Sequence, residues 1–72
     1  MTRARHLQWC KDRAFEYLNA NDVDNAWASM VSDLGKHEET KDHLAIQLGM
    51  SLLMMGNLST APEMGEFIEG FN

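Results

Sequence analysis

Apolar residues recur along much of this chain every three or four positions, which is the spacing of one buried face of an α-helix. The first such stretch begins near Thr2, a suitable helix cap, and runs to about Asn19. The second follows a turn capped by Asp22 and stops at Gly35, which we expect in the left-handed conformation that commonly ends a helix. The predicted inner faces comprise Leu7, Cys10, Ala14, Tyr17 and Leu18 in the first helix, and Val23, Ala26, Trp27, Met30, Val31 and Leu34 in the second. Opposite the second face lie Asp24, Asn25, Ser29, Ser32 and Asp33.

Two more helices are predicted in the second half of the chain. A third begins near Thr40 and ends at Gly56. Its main apolar face consists of Leu44, Ala45, Leu48, Ser51, Leu52 and Met55, and Ile46, Met50, Leu53 and Met54 extend the apolar surface around it. The fourth has the start signal of a capping box, with Thr60 as the cap, Pro62 in the first turn and Glu63 three residues after the cap. Its apolar stripe is Met64, Phe67, Ile68 and Phe71.

These patterns predict an all-α fold. No segment alternates as a strand would, so we expect a single helical domain over residues 1–72, a small bundle of three longer helices and a short C-terminal one. The segment YLNANDVDNAWASM has the arrangement of a tetratricopeptide hairpin, with Tyr17, a small polar turn, Ala26 and Met30. Because no second copy follows, we predict one such hairpin and no solenoid.

The size of the chain limits its stability. A domain of 72 residues buries little surface and often relies on a staple or a partner. Cys10 is the only cysteine, which excludes an internal disulfide and favours a reducing, intracellular compartment. The most apolar segment, residues 44–56, is shorter than the roughly 20 residues that cross a bilayer, so we expect no membrane association.

The net charge of −5 is unevenly distributed. Residues 1–13 carry four basic side chains and one acidic, a charge of +3, whereas residues 14–72 carry two basic and ten acidic, a charge of −8. Because clustered basic residues supply most of the affinity for nucleic acid, this acidic body makes nucleic-acid binding improbable. A basic protein partner suits it better.

The segment KHEETKDH, residues 36–43, is the one stretch with the composition of a chemical site. His37 and His43 are six residues apart across a helix boundary, whereas zinc sites on helices commonly space two histidines by four. Charged residues at these positions also complement the two helix ends that flank the segment. We therefore predict a polar joint and no metal site, with a possible response to pH through the two histidines.

No catalytic residues are predicted. His6 and Cys10 are one helical turn apart, which any helix would bring about, and a buried structural cysteine is the expected outcome. The chain has no glycine-rich phosphate loop and no recognisable set of catalytic serine, histidine and carboxylate. We expect neither an enzyme nor a cofactor.

Two surfaces are candidates for binding a protein partner. Trp9 falls opposite the inner face of the first helix, with Arg5 and Arg13 one turn to either side and able to stack on its indole. Met50 and Met54 lie on the flank of the third helix, where adaptable thioether side chains favour an interface with a second copy of the chain. We expect Met30 and Met55 to belong to the core.

The pattern from MTRARHLQW through ASMVSDLGKHEETKDH and LGMSLLMMG to FIEGFN resembles a group of short, mostly uncharacterised proteins of tailed bacteriophages, especially those of actinobacteria. The resemblance covers essentially the whole chain and includes no catalytic motif. It implies a small phage-encoded protein in the cytoplasm of a bacterial host. The function that we expect is a non-enzymatic module that binds or modulates a host or phage protein. The alternative is a regulator linked to nucleic acid, either an acidic mimic of DNA or a DNA contact made by the basic first helix.

Overall fold

The computed structural model describes residues 2–71, which form four α-helices and, within that range, no strand. The helices are α1 (Arg3–Asn19), α2 (Val23–Leu34), α3 (Leu44–Met54) and α4 (Ala61–Glu69). The predicted all-α fold is confirmed. Met1 and Asn72, the two ends of the predicted domain, lie outside the described residues.

Three of the four helices begin at the caps that the sequence predicts. The side chains of Thr2, Asp22 and Thr60 each accept a hydrogen bond from the backbone N–H three residues further on, at 3.2, 3.3 and 3.3 Å. The Thr60 hydroxyl also donates to the Glu63 carboxylate at 2.9 Å. These bonds satisfy N–H groups that the first turn of a helix leaves unpaired.

The connection between α2 and α3 differs from the prediction at both ends. Gly35 has φ −67°, so it continues right-handed and is not the left-handed residue expected there. α3 begins at Leu44, four residues after the predicted start at Thr40. Thr40 is fully buried, and its hydroxyl donates to the Leu34 carbonyl at 2.7 Å. Because this hydroxyl satisfies the end of α2, His43 caps α3 instead, with Nδ1 accepting the Ala45 N–H at 3.1 Å.

The core lies where α1, α2 and α4 meet. α1 packs along α2 more extensively than any other pair of helices, and α4 lies against both. On α1, the Lys11 ammonium donates to the Glu69 carbonyl of α4 at 3.0 Å. The core side chains are Leu7, Cys10, Ala14, Leu18, Ala26, Trp27, Met30, Leu34, Leu58, Met64, Ile68 and Phe71. Tyr17 departs from its predicted inner face and is exposed, and the likeness of α1 and α2 to a tetratricopeptide unit stays a prediction.

α3 faces the core with a side that overlaps only partly with the one predicted. Gly49 is its buried residue, held against the rings of Trp27 and Phe67. Ala45 and Leu52 of the predicted face, and Ile46 and Leu53 beside it, are partly buried against the same core. The other predicted inner residues, Leu44, Leu48, Ser51 and Met55, are exposed. The prediction is wrong for these four because α3 is apolar nearly all round and the close approach at Gly49 decides which side packs.

Candidate functional site

Two cationic side chains lie over the indole of Trp9, and one of them is the arginine that the sequence predicts. The Arg13 guanidinium carbon lies 4.9 Å from the ring centroid, as its position one turn along α1 indicates. The second cation is the ammonium of Lys36 at 5.4 Å, from the connection after α2, where the sequence predicted Arg5. Arg5 itself is exposed on α1. Cation–π contacts of this length favour the observed stacking.

Beneath Trp9, the carboxylate of Asp33 receives three hydrogen bonds. Arg13 Nε donates to Oδ2 at 2.7 Å, Lys36 Nζ donates to Oδ1 at 3.0 Å, and the Ser29 hydroxyl donates to Oδ2 at 3.4 Å. The Asp33 side chain is only 2% exposed, so its predicted place on the polar outer face of α2 is wrong. Burial alone would raise the pKa of Asp33, but the hydrogen bonds from Lys36 and Arg13 outweigh it and lower that pKa.

His6 and Cys10 complete this cluster without forming a catalytic pair. His6 Nε2 lies 2.8 Å from the backbone carbonyl of Asp33, and because a carbonyl only accepts, Nε2 carries the proton and donates. The Cys10 sulfur lies 3.5 Å from the same nitrogen, which therefore has no lone pair with which to accept the thiol proton. Burial, helped by the negative charge of Asp33, raises the pKa of Cys10 to about 11. The fully buried thiol is thus unsuited to act as a nucleophile.

The cluster around Asp33 joins α1, α2 and the following connection. Within residues 2–71, every buried side-chain nitrogen or oxygen has a hydrogen-bond partner. The buried polar groups of this cluster are therefore paired with one another. The sequence gives only a weak signal for this cluster, which is that Lys36 follows Asp33 by three residues. Nothing in the sequence indicates that Arg13 also binds Asp33.

The KHEETKDH segment does not converge on one point. His37 stacks on His6 of α1, with ring centroids 5.0 Å apart, while His43 lies 4.9 Å from the ring of Phe71. Lys41 pairs with Glu38 at 3.0 Å. Across residues 2–71 no three histidine, cysteine or acidic side chains are grouped so that they could hold a metal ion. A shallow open depression beside His43 is lined by Lys41, Asp42, His43, Ile46 and Gln47.

The side of α3 that faces away from the core carries large apolar side chains in solvent. We call it the outer face and define it by Leu44, Gln47, Leu48, Ser51, Met54 and Met55. The exposed fractions are 81% for Leu44, 54% for Leu48, 90% for Met54 and 72% for Met55, which corrects the predicted core position of Met55. Met30, by contrast, is fully buried as predicted.

The two methionines predicted to bind a partner lie at different places on α3. Both are exposed, Met54 at 90% and Met50 at 52%. At about 100° per residue, Met54 lies about 80° from Leu44 with Gln47 and Ser51 between them, whereas Met50 lies about 40° further round, next to Ile46, which packs on the core. Met54 therefore lies at the edge of the outer face, and Met50 lies just beyond that edge.

The outer face has no charged residue within α3, whose sequence is LAIQLGMSLLM. Exposed large apolar side chains rimmed by polar residues commonly mark a contact with another molecule, and on this face Gln47 and Ser51 also lie among them. Here the rim includes Lys41 and Asp42 before α3 and Asn57 after it.

Comparisons of the chain with protein-family profiles, curated proteins and solved structures found no match. Within residues 2–71, no helix combines the length and the apolar character needed to span a bilayer. The contacts, burial and charges described above are therefore the basis for inferring a function.

Proposed function

We propose that this chain is a non-enzymatic protein-interaction module that binds its partner through the outer face of α3. The observation that carries the proposal is the exposure of Leu44, Met54 and Met55, each more than two-thirds accessible in a helix without charges. Leaving such side chains in water is unfavourable, at roughly 25 cal/mol per Å² of apolar surface. A partner that covered them would recover that free energy.

The Trp9 surface supports the proposal less well than α3 does. Both cations over the indole also hold the Asp33 carboxylate, Arg13 at 2.7 Å and Lys36 at 3.0 Å. A partner that drew Arg13 or Lys36 away would leave that buried carboxylate without its counter-charges. Arg5, Trp9 and Arg13 therefore stay a second candidate surface.

The alternative of a DNA contact through α1 has little support from its basic residues. Arg13 is engaged by Asp33, and the Lys11 ammonium donates to the Glu69 carbonyl. An excess of basic side chains available to phosphates is the main source of DNA affinity. Protein binding is the better-supported function.

The environment of Cys10 supports a module without catalytic activity, since this thiol is not activated as a nucleophile. Cys10 is buried with its pKa raised to about 11, and the near nitrogen of His6 donates to the Asp33 carbonyl. In this proposal the resemblance to tailed-phage proteins points to a host or phage protein as the partner, in the cytoplasm of the bacterial cell.

Affinity capture with two matched variants tests the proposal. Leu48→Asp and Met50→Asp add the same charge to α3 at side chains that are 54% and 52% exposed, but only Leu48 belongs to the outer face. Tagged wild-type protein, cross-linked in a bacterial lysate, should recover a partner that is retained by Met50→Asp and by Trp9→Ala but lost by Leu48→Asp. Retention by Leu48→Asp, or recovery of nothing above a tag-only control, would overturn the proposal.

A further inference from the structure

We infer that the outer face of α3 pairs with the same face of a second copy of this chain, with the two α3 helices antiparallel. The inference rests on the same exposed surface as the proposed function, and it names a second copy of the chain as an occupant of that surface. Three observations support it: the spacing of the exposed residues, the residue pairs that two-fold symmetry would bring into contact, and the distribution of charge along the chain.

The exposed residues have the spacing of a helix-pairing seam. Leu44, Leu48, Ser51 and Met55 follow one another by four, three and four positions, all exposed. At about 100° per residue they occupy a sector of roughly 60° on α3. This alternation of threes and fours is the pattern along which two helices pack at a shallow crossing angle.

The seam of one copy can pack against the same seam of a second copy that runs in the opposite direction. In an antiparallel pair centred between Leu48 and Ser51, Leu44 of one copy faces Met55 of the other, and Leu48 faces Ser51. Each large side chain at the centre then meets a small one, which suits close packing. A parallel pair would instead set Leu48 against Leu48 and Ser51 against Ser51, so that two large side chains meet at one level and two small ones at the other. In a dimer with two-fold symmetry, each of these contacts occurs twice, once from each copy to the other.

The charges of the chain also allow this pairing. The molecule carries −5 overall, so most ways of bringing two copies together juxtapose like charges. α3 contains no charged side chain, and its outer face can therefore approach a second copy without that repulsion. Antiparallel alignment sets the positive start of each helix beside the negative end of the other, which is the favourable orientation of the two helix dipoles.

The size of the seam predicts a weak, reversible dimer. α3 has 11 residues, so the seam is about 16 Å long. One such helix pair buries less than the roughly 1,200 Å² of total surface at which stable interfaces begin. We therefore expect association to be visible only at high concentration.

Sedimentation equilibrium of the whole chain from about 10 µM to about 1 mM measures this association. Wild-type protein should move from monomer toward dimer over this range. Leu48→Asp should weaken association about tenfold or more, because it places a charge at the centre of the seam, whereas Met50→Asp should change it less than about twofold. A wild-type monomer throughout, or equal weakening by both variants, would overturn the inference. Circular dichroism of each variant checks that it is folded.

Disulfide trapping tests the orientation. Leu44→Cys and Met55→Cys are mixed under oxidised glutathione, with buried Cys10 left in place. Two thiols that face each other lose two protons and two electrons to the oxidant and form a bond. An antiparallel seam should give mostly the mixed Leu44→Cys–Met55→Cys dimer. Predominant Leu44→Cys homodimers would contradict the antiparallel arrangement.

The outcomes separate this inference from the proposed function. A monomeric wild type whose captured partner is still lost by Leu48→Asp would overturn the dimer and keep the interaction module. A dimer that depends on Leu48, with no other protein captured through α3, would keep the dimer and overturn the proposed binding of a host or phage partner.

Discussion

Gly49 of α3 lies directly against the indole of Trp27 in α2. A Cβ atom at Gly49 would come within 2.8 Å of Trp27 Cζ2 and 2.9 Å of Phe67 Cε2, closer than carbon atoms approach in folded proteins. The missing side chain is therefore what allows α3 to pack here, and it determines which side of α3 remains in solvent.

Gly49→Ala should destabilise the fold by about 1–3 kcal/mol, because the two aromatic rings must move or α3 must lift away. Gly35→Ala is the matched control. A Cβ at Gly35 would meet only backbone oxygens at 3.4 and 3.6 Å, and φ is −67°, so we expect a change of less than about 0.5 kcal/mol. Urea unfolding followed by circular dichroism measures both. Equal effects of the two substitutions would show that α3 does not depend on this contact.

Thr40 offers a test of the connection between α2 and α3. Thr40→Val keeps the shape of the side chain but removes the hydroxyl that donates to the buried Leu34 carbonyl at 2.7 Å. We expect a loss of about 0.5–1.5 kcal/mol in the free energy of unfolding, since that carbonyl loses its shorter hydrogen bond and keeps only the 3.4 Å bond from the His37 N–H. Thr40→Ser keeps the donor and should cost less than Thr40→Val. If the serine variant is the less stable, packing of the methyl group outweighs the hydrogen bond.

Asp33→Asn tests the cluster beneath Trp9. It preserves the size of the side chain but removes the charge that Arg13 and Lys36 share. Those two side chains are 43% and 55% exposed, so water screens part of the interaction and we expect a loss of about 1–2 kcal/mol at pH 7. Asp42→Asn, in an exposed position, should change stability by less than about 0.5 kcal/mol. Equal losses of stability in Asp33→Asn and Asp42→Asn would show that the buried carboxylate contributes no more to stability than an exposed one.

The same carboxylate predicts a direction of pH dependence. The folded pKa of Asp33 is lower than its unfolded value, so its contribution to stability is complete above the unfolded value of about 3.9. It is lost as the pH falls through that value toward the folded pKa. Asp33→Asn should therefore lose less stability between pH 5 and pH 3 than the wild type does. Parallel acid denaturation curves for the two proteins would contradict this expectation.

Cys10 should resist alkylation in the folded protein. Its thiol is fully buried and its pKa is raised to about 11, so little thiolate forms at pH 8 and iodoacetamide has poor access to it. We expect alkylation at least about a hundredfold faster in urea than in buffer, since unfolding restores access and an ordinary pKa. Mass spectrometry over time measures both rates. Comparable rates would indicate that α1 does not hold Cys10 in the core.

Local signals in the sequence predicted much of the fold. Thr2, Asp22 and Thr60 cap their helices as expected because a cap depends only on the residues of one turn. The apolar face of α2, including fully buried Met30, is likewise a local pattern. These features needed no knowledge of the tertiary structure.

The features that the sequence did not predict depend on residues far apart in the chain. Buried Asp33 has two cationic partners, and one of them, Arg13, lies 20 residues earlier in the chain. The inner side of α3 is decided by Gly49 against Trp27, and no periodicity can find it in a helix that is apolar nearly all round. The large exposed apolar side chains do lie on the third helix, but they are not the two that the sequence singled out: Leu44, Leu48 and Met55 are exposed besides Met50 and Met54.

Hydrogen–deuterium exchange at two protein concentrations tests most directly whether the outer face of α3 is the interaction surface. Between about 10 µM and about 1 mM, the amides of α3 (Leu44–Met54) should gain protection, while those around Trp9 in α1 should not change. The Leu48→Asp variant should show no such gain. Protection gained around Trp9, or no change in α3 at the higher concentration, would contradict the account.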